Sequence, residues 1–221
     1  MNQIRQSLRL LSAALLLAFV AASAQAAQTI SIAEARALPQ GTVVTVDGSV
    51  TTPSGAFYSS FFDEGFGLQD SSGGIYVSLQ TNLNVAPRRQ ASVTGTLTDF
   101  GFGLLVLVPS SPSDVKLHGA GPKIAPRVLA TGAVSEATEG LLVRVVATVT
   151  QAPEIDGQYG IKFFVDDGSG ELTIYVNFQT GIDVSDLEVG QTVIVTGFSS
   201  QFDTHYEIDP RFPADIVVQA P

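Results

Sequence analysis

Two histidines, 21 carboxylates and no cysteine bound the chemistry open to this chain of 221 residues. His118 and His205 stand in distant segments, so no local pair is spaced to hold a metal or to exchange a proton. The serines have no base at motif spacing, and no G-x-S-x-G elbow occurs. Gly-rich pieces such as "DSSGG" fall between strand-like segments and not before a helix, which excludes a phosphate loop. "DDGSGE" from Asp166 offers oxygens at short spacing, but it lacks the EF-hand pattern and reads first as a hairpin turn. Without cysteine there is no thiolate site, no Cys nucleophile and no disulfide framework. No enzyme, cofactor or metal site is expected. What the chain does carry is rings. "GAFYSSFFDEGFGLQD", Gly55 to Asp70, holds five aromatics and three acids without one Lys or Arg, a composition suited to stacking on something other than a polyanion.

The elements that position these rings begin after a leader. Arg5 and Arg9 precede an apolar run from Leu10 to Ala22 and then Ala24-Gln25-Ala26, the form of a cleavable signal peptide over residues 1–26. The run is shorter than the roughly 20 residues a spanning helix needs, so no membrane span is expected after cleavage, and the protein is expected to be periplasmic or secreted. Removing Arg5 and Arg9 leaves nine basic residues against 21 acids, a net charge of −12. Such a surface repels nucleic acid and anionic lipid at low salt.

The remaining chain is duplicated. "GTVVTVDGSVT" from Gly41 matches "GLLVRVVATVT" from Gly140, "IYVSLQT" matches "IYVNFQT", and "VTGTLTDF" matches "VTGFSSQF". Each copy reads as five short strands, 42–52, 66–70, 74–79, 90–98 and 104–108, then 141–151, 161–166, 172–178, 192–199 and 206–208. Val44, Val46 and Val50 share one face, as do Val143, Val145 and Val149, the period of half-buried strands. Gly48 suggests a bulge or sharp bend. Tails at Val115–Leu117 and Ile216–Val218 are expected to extend the last strands after a Pro-bearing break, and Ser31-x-x-Glu34 has the form of a capping box. The boundaries are 27–118 for the first domain, 119–126 for a linker and 127–221 for the second.

A long bent first strand, an Asp-Gly-type hairpin between strands two and three and a variable loop between four and five describe an OB-fold. The expected class is all-β, two tandem five-stranded OB-fold barrels. The second copy resembles bacterial secreted OB-fold modules that also occur attached to extracellular nucleases. That resemblance is carried by "EGLLVRVVATVT", "FFVDDGSGELTIYV", "LEVGQTVIVTGFSSQF", "YEIDPR" and "ADIVV". The first copy keeps "GLQDSSGGIYVSL" but lacks the "YEIDPR" stretch. The resemblance implies a module of nucleic-acid-binding type.

An OB barrel offers a ligand the outer face of strands two and three with the 1–2 and 4–5 loops. Strand parity turns Tyr76 and Tyr175 outward at matched positions, with Lys162, Phe164 and Asn177 nearby; the tyrosines either stack on a ligand or pack at an interdomain contact. Rings on loops either close the barrel end or form a platform: Phe57, Tyr58, Phe61 and Phe62 in the first 1–2 loop, Phe100 and Phe102 in the first 4–5 loop, and Phe202, His205 and Tyr206 in the second. The expected function is an exported, non-catalytic binding protein whose partner is single-stranded nucleic acid, with Lys162 and Arg144 as phosphate contacts. Arg88, Arg89 and Arg211 supply only local patches. The alternative is an acidic envelope adaptor that binds a protein, peptide or glycan through its aromatic loops, with or without cation assistance.

Overall fold

The computed structural model describes residues 28–219, so the expected signal peptide lies outside the described residues. The first half contains β1 (Thr29–Ile30), α1 (Ile32–Arg36), β2 (Val43–Thr52), α2 (Tyr58–Phe61), β3 (Phe66–Gln69), β4 (Gly74–Val77), β5 (Arg89–Thr98), β6 (Val106–Val108) and β7 (Val115–Ala120). The second contains β8 (Arg127–Val128), β9 (Leu142–Asp156), β10 (Gly160–Asp166), β11 (Leu172–Asn177), β12 (Thr192–Phe202), β13 (His205–Asp209) and β14 (Ile216–Val218).

Each first strand serves two partners, and this closes each barrel. β2 pairs with β5 over Val43–Ser49 and with β3 from Ser49 to Thr52, while β9 pairs with β12 up to Thr148 and with β10 from there on. Gly48 sits at this change of partner, where an added Cβ would lie 2.9 Å from the Gln69 carbonyl oxygen. The bend foreseen at Gly48 is therefore a close approach, and the bulge itself falls later, between Val50 and Thr52. In each barrel the last strand joins the third in parallel, β6 on β4 and β13 on β11, giving the order β2-β3-β4-β6-β5 and its repeat β9-β10-β11-β13-β12. The chain is a tandem pair of OB-folds.

Alternation fills the two interiors as the sequence foretold. Val44, Val46, Val50, Phe66, Leu68, Ile75 and Val77 form one core, and Val143, Val145, Val149, Phe163, Val165, Ile174 and Val176 form the other. The Ser31 capping box is present on α1. The tails differ from expectation. β7 and β14 do not prolong the last strands; they pair antiparallel with β5 and β12. The 3-10 turns at Pro112–Asp114 and Pro213–Asp215 redirect the chain, and β6 already lies between β4 and β5.

Candidate functional site

The ring-rich loop after β2 is an interdomain staple. Phe57 and Phe61 project from and just before α2, and Phe57 packs 5.9 Å from Phe61 and 6.1 Å from Phe198 of β12, centroid to centroid. Tyr76 completes this cluster, 4.3 Å from Phe61 and 5.9 Å from Phe198. Between the rings, Ser59 and Ser60 meet the end of β11. The Ser59 hydroxyl donates to the Tyr159 carbonyl at 2.5 Å, and the Asn177 amide donates to the Ser60 hydroxyl at 2.5 Å. Small polar residues there leave backbone and amide groups satisfied inside a buried contact.

This contact corrects several expected ligand residues. Tyr76 does leave its own barrel outward, yet it is 1% exposed because the second domain covers it. Phe57 is buried in the same cluster, Asn177 is covered in turn by Ser59 and Ser60 of the first domain, and Phe61 is half-buried against the cluster. Tyr175 is buried too, with its hydroxyl donating to Asp156 at 3.2 Å. Of the two readings of the matched tyrosines, Tyr76 takes the interdomain one. Tyr206 turns to the other side of its strand from His205 and packs against the second core.

The acids of the same loop are structural. Asp63 accepts from the Tyr76 hydroxyl at 2.9 Å, from the Gly65 amide at 2.8 Å and from the Ser78 hydroxyl. Burial still holds its pKa above the ordinary carboxylate range. In each hairpin a matched aspartate ties the turn to the segment ahead of the first strand. Asp70 accepts from the Ile32 amide at 2.9 Å, and Asp167 from the Thr131 hydroxyl at 2.8 Å, which with Ser169 lowers Asp167 to about 2.

What stays open beyond the staple is the His205 end of the second barrel's outer face. Alternation along β13 places His205, Glu207 and Asp209 on this face, with Phe202 of β12 opposite His205. Phe102 from the 4–5 loop of the first barrel stacks on Phe202 at 5.7 Å and 10°, and His205 meets Phe202 edge-on at 5.9 Å. The two loops are joined by a bridge between Gly103 and Phe202. Phe102 and Phe202 are 54% and 50% exposed, so the pair is a platform and not a core. Lys162 and Phe164 are half-buried on β10, which β11 separates from β13, and Lys162 pairs with Glu154 at 3.1 Å. Tyr58 and Phe62 are exposed on the far side of the staple, Phe62 edge-on to Tyr159 at 5.6 Å. Sequence reasoning named Phe202 and His205 and noted Phe102 as a loop ring, but the meeting of the two loops had no local signal.

No protein-family model matches the chain, and no curated protein matches it. Among solved structures, a chain of the replication protein A heterotrimer bound to single-stranded DNA is 14% identical, with 44% of this chain and 84% of that chain covered at a TM-score of 0.34. The p204 HINb domain is 13% identical, with 81% and 97% covered at 0.38. A murine DNA-binding protein bound to double-stranded DNA is 12% identical, with 81% and 96% covered at 0.40. Likeness of this extent carries nothing about the ligand of this chain, and the OB assignment rests on its strand order.

Asp209 is the misfit on this face. It is fully buried; the Ser200 side chain is near enough to lower its pKa somewhat, but no well-formed hydrogen bond reaches either carboxylate oxygen among the described residues. Burial lifts its pKa well above the ordinary range, and the charge of Glu207 adds to this. A raised carboxyl loses stability as pH climbs past the unfolded value near 4, and the loss grows until the folded group itself ionises and is constant above that. Asp209→Asn is therefore expected to stabilise the protein at pH 7 by about 1–3 kcal/mol and to have little effect near pH 4. Urea melts at the two pH values decide it; a loss of stability at pH 7 would show that the carboxylate has a partner.

Proposed function

We propose that this protein is an exported, non-catalytic binding protein that takes single-stranded nucleic acid on the joined 4–5 loops and the adjoining outer face of the second barrel. One observation carries the reading: two half-exposed rings from different domains, nearly parallel at 5.7 Å and extended by His205. Bases stack on such rings whatever their sequence, at about 1–3 kcal/mol per base. Lys162, whose charge reaches His205 although it pairs with Glu154, is one phosphate contact. The OB-fold supports the reading, and so does the resemblance to modules attached to extracellular nucleases.

The surrounding charge shapes how such binding would behave. Glu154 and Glu207 border the face, and the chain as a whole carries an excess of acids. Affinity then comes from stacking while the field opposes it. Raising salt from very low ionic strength screens the repulsion, so affinity is expected to hold or rise, in contrast to the steep fall of a counterion-releasing site. The acidic border also favours a second reading, a basic or neutral protein segment, peptide or glycan laid on the same rings.

Anisotropy of a labelled oligothymidine tests the first reading. Phe102→Ala with Phe202→Ala is expected to weaken binding by roughly 10- to 100-fold, the loss of one or two stacked bases. If the wild-type protein binds no oligonucleotide at any salt, the nucleic-acid reading fails and the second stands.

A further inference from the structure

The basic residues that look scattered in the sequence converge between the barrels. Arg88 from the loop before β5, Lys123 from the interdomain segment, Arg144 of β9 and Arg211 after β13 all line one cleft of about 310 Å³. Asp215 is the only carboxylate in that lining. Four of the nine basic residues outside the expected leader thus meet at one place in an otherwise acidic protein.

Their partners differ in a way that matters. Arg211 is spent on structure: it holds Asp215 through two nitrogens at 2.9 Å, donates to the Thr51 carbonyl at 2.6 Å and lies 5.3 Å from the Phe212 centroid. Arg144 donates only its Nε to Thr196, at 2.9 Å, which aims the guanidinium. Among the described residues, none of Arg88, Lys123 and Arg144 forms an ion pair. The backbone of Arg88 is left-handed, at φ 72°, a conformation unfavourable for a residue with a side chain. It is pinned there by its amide donating to Val50 at 2.9 Å and its carbonyl accepting from Gly121 at 2.7 Å. Strain of this kind persists where surrounding structure fixes it. Three unpaired cations, Arg88 on pinned backbone, Arg144 on a paired strand and Lys123 on the interdomain segment, meet beside the apolar Val50 and Leu142 in a pocket of small-ligand size.

We propose that this interdomain cleft binds a phosphate-bearing ligand of nucleotide size, with Lys123, Arg144 and Arg88 on the phosphate oxygens and Arg211 as the fixed wall. Planar guanidinium forks match phosphate oxygens in pairs, and the nearby lysine adds a point charge. The phosphate can belong to a free small molecule or to a nucleic-acid strand. The cleft is independent of the ring platform: Thr196 lines it while Phe202 carries the platform, and six residues of strand, about 20 Å, separate them across the interdomain contact.

The probe is pyrophosphate, titrated calorimetrically into the full protein at low ionic strength, with an oligothymidine titration alongside. Lys123→Ala with Arg144→Ala is expected to weaken pyrophosphate binding about tenfold or more for each cation removed. Lys123→Glu, at an exposed position, gives a second variant that leaves packing untouched. Phe102→Ala with Phe202→Ala should leave pyrophosphate binding unchanged, which separates this site from the platform. If the cleft variants also weaken the oligonucleotide, the phosphate comes from a strand; if they do not, it comes from a free ligand. The proposal is overturned if pyrophosphate does not bind, if it binds the double variant equally, or if citrate competes as well as pyrophosphate, which would mark a bare electrostatic patch.

Discussion

Phe198→Ala is expected to lower stability by about 3–5 kcal/mol and to split unfolding into two transitions. Phe198 is fully buried, but it leaves the second barrel outward and packs on Phe57 and Tyr76 of the first. Truncation removes the ring, opens a cavity and breaks two aromatic contacts at once. A loss of that size is a large share of the 5–15 kcal/mol typical of a folded domain. Because the lost atoms belong to neither barrel core, each barrel keeps its own packing and the loss falls on the contact between them. Calorimetry should then resolve two peaks where the wild type gives one. A change below 1 kcal/mol with one transition would mean that this aromatic cluster does not couple the domains.

The same geometry explains what the sequence could and could not disclose. Period-two alternation fixed the strands and their inward residues, because a side chain's direction from its own barrel is a local property. Phe66 and Phe163 went inward and Tyr76 and Tyr175 outward accordingly. What covers an outward face is not local. Tyr76 is buried by Phe198, which lies far along the chain in the other copy. One signal did exist: the rings of Phe57, Phe61 and Phe62 occur in one copy alone. A loop that staples one barrel to the other is needed once, so asymmetry between repeats marks a contact more readily than a ligand site. The basic cleft had no such signal, since Arg88, Lys123, Arg144 and Arg211 come together only when both barrels are placed.

Docking also changes what the acids mean. A charge of −12 argues against any anionic ligand only if charge is spread evenly, and here it is not. Asp63, Glu139 and Asp209 are buried in or near the contact, while the cations gather at its edge. Two domains with poor ligand surfaces of their own thus create, by meeting, a ring platform on one side and a basic cleft on the other.

Arg36→Ala should lower stability at pH 7 by about 3–5 kcal/mol, more than its place on a short surface helix suggests. Arg36 reaches from α1 into the second domain, where one nitrogen contacts Glu139 at 2.9 Å and Glu136 at 3.0 Å. The Glu139 side chain is fully buried. One of its oxygens also accepts from the Leu105 amide at 3.1 Å, and the other has no partner among the described residues. Burial raises the Glu139 pKa even with Arg36 in place, and Arg36 is the main influence lowering it. Without Arg36 the carboxylate is either buried and unpaired or protonated, and both states are unfavourable at pH 7. The sign follows from linkage. A carboxyl raised in the folded state weakens stability only above its unfolded pKa near 4.3, so the deficit of the variant should shrink as pH falls from 7 towards 4. Glu139→Gln added to Arg36→Ala should recover most of the loss at pH 7, because a neutral amide can sit where an unpaired charge cannot. Denaturant melts of the single and double variants across that range measure it. A deficit independent of pH, unrelieved by Glu139→Gln, would assign Arg36 to packing alone.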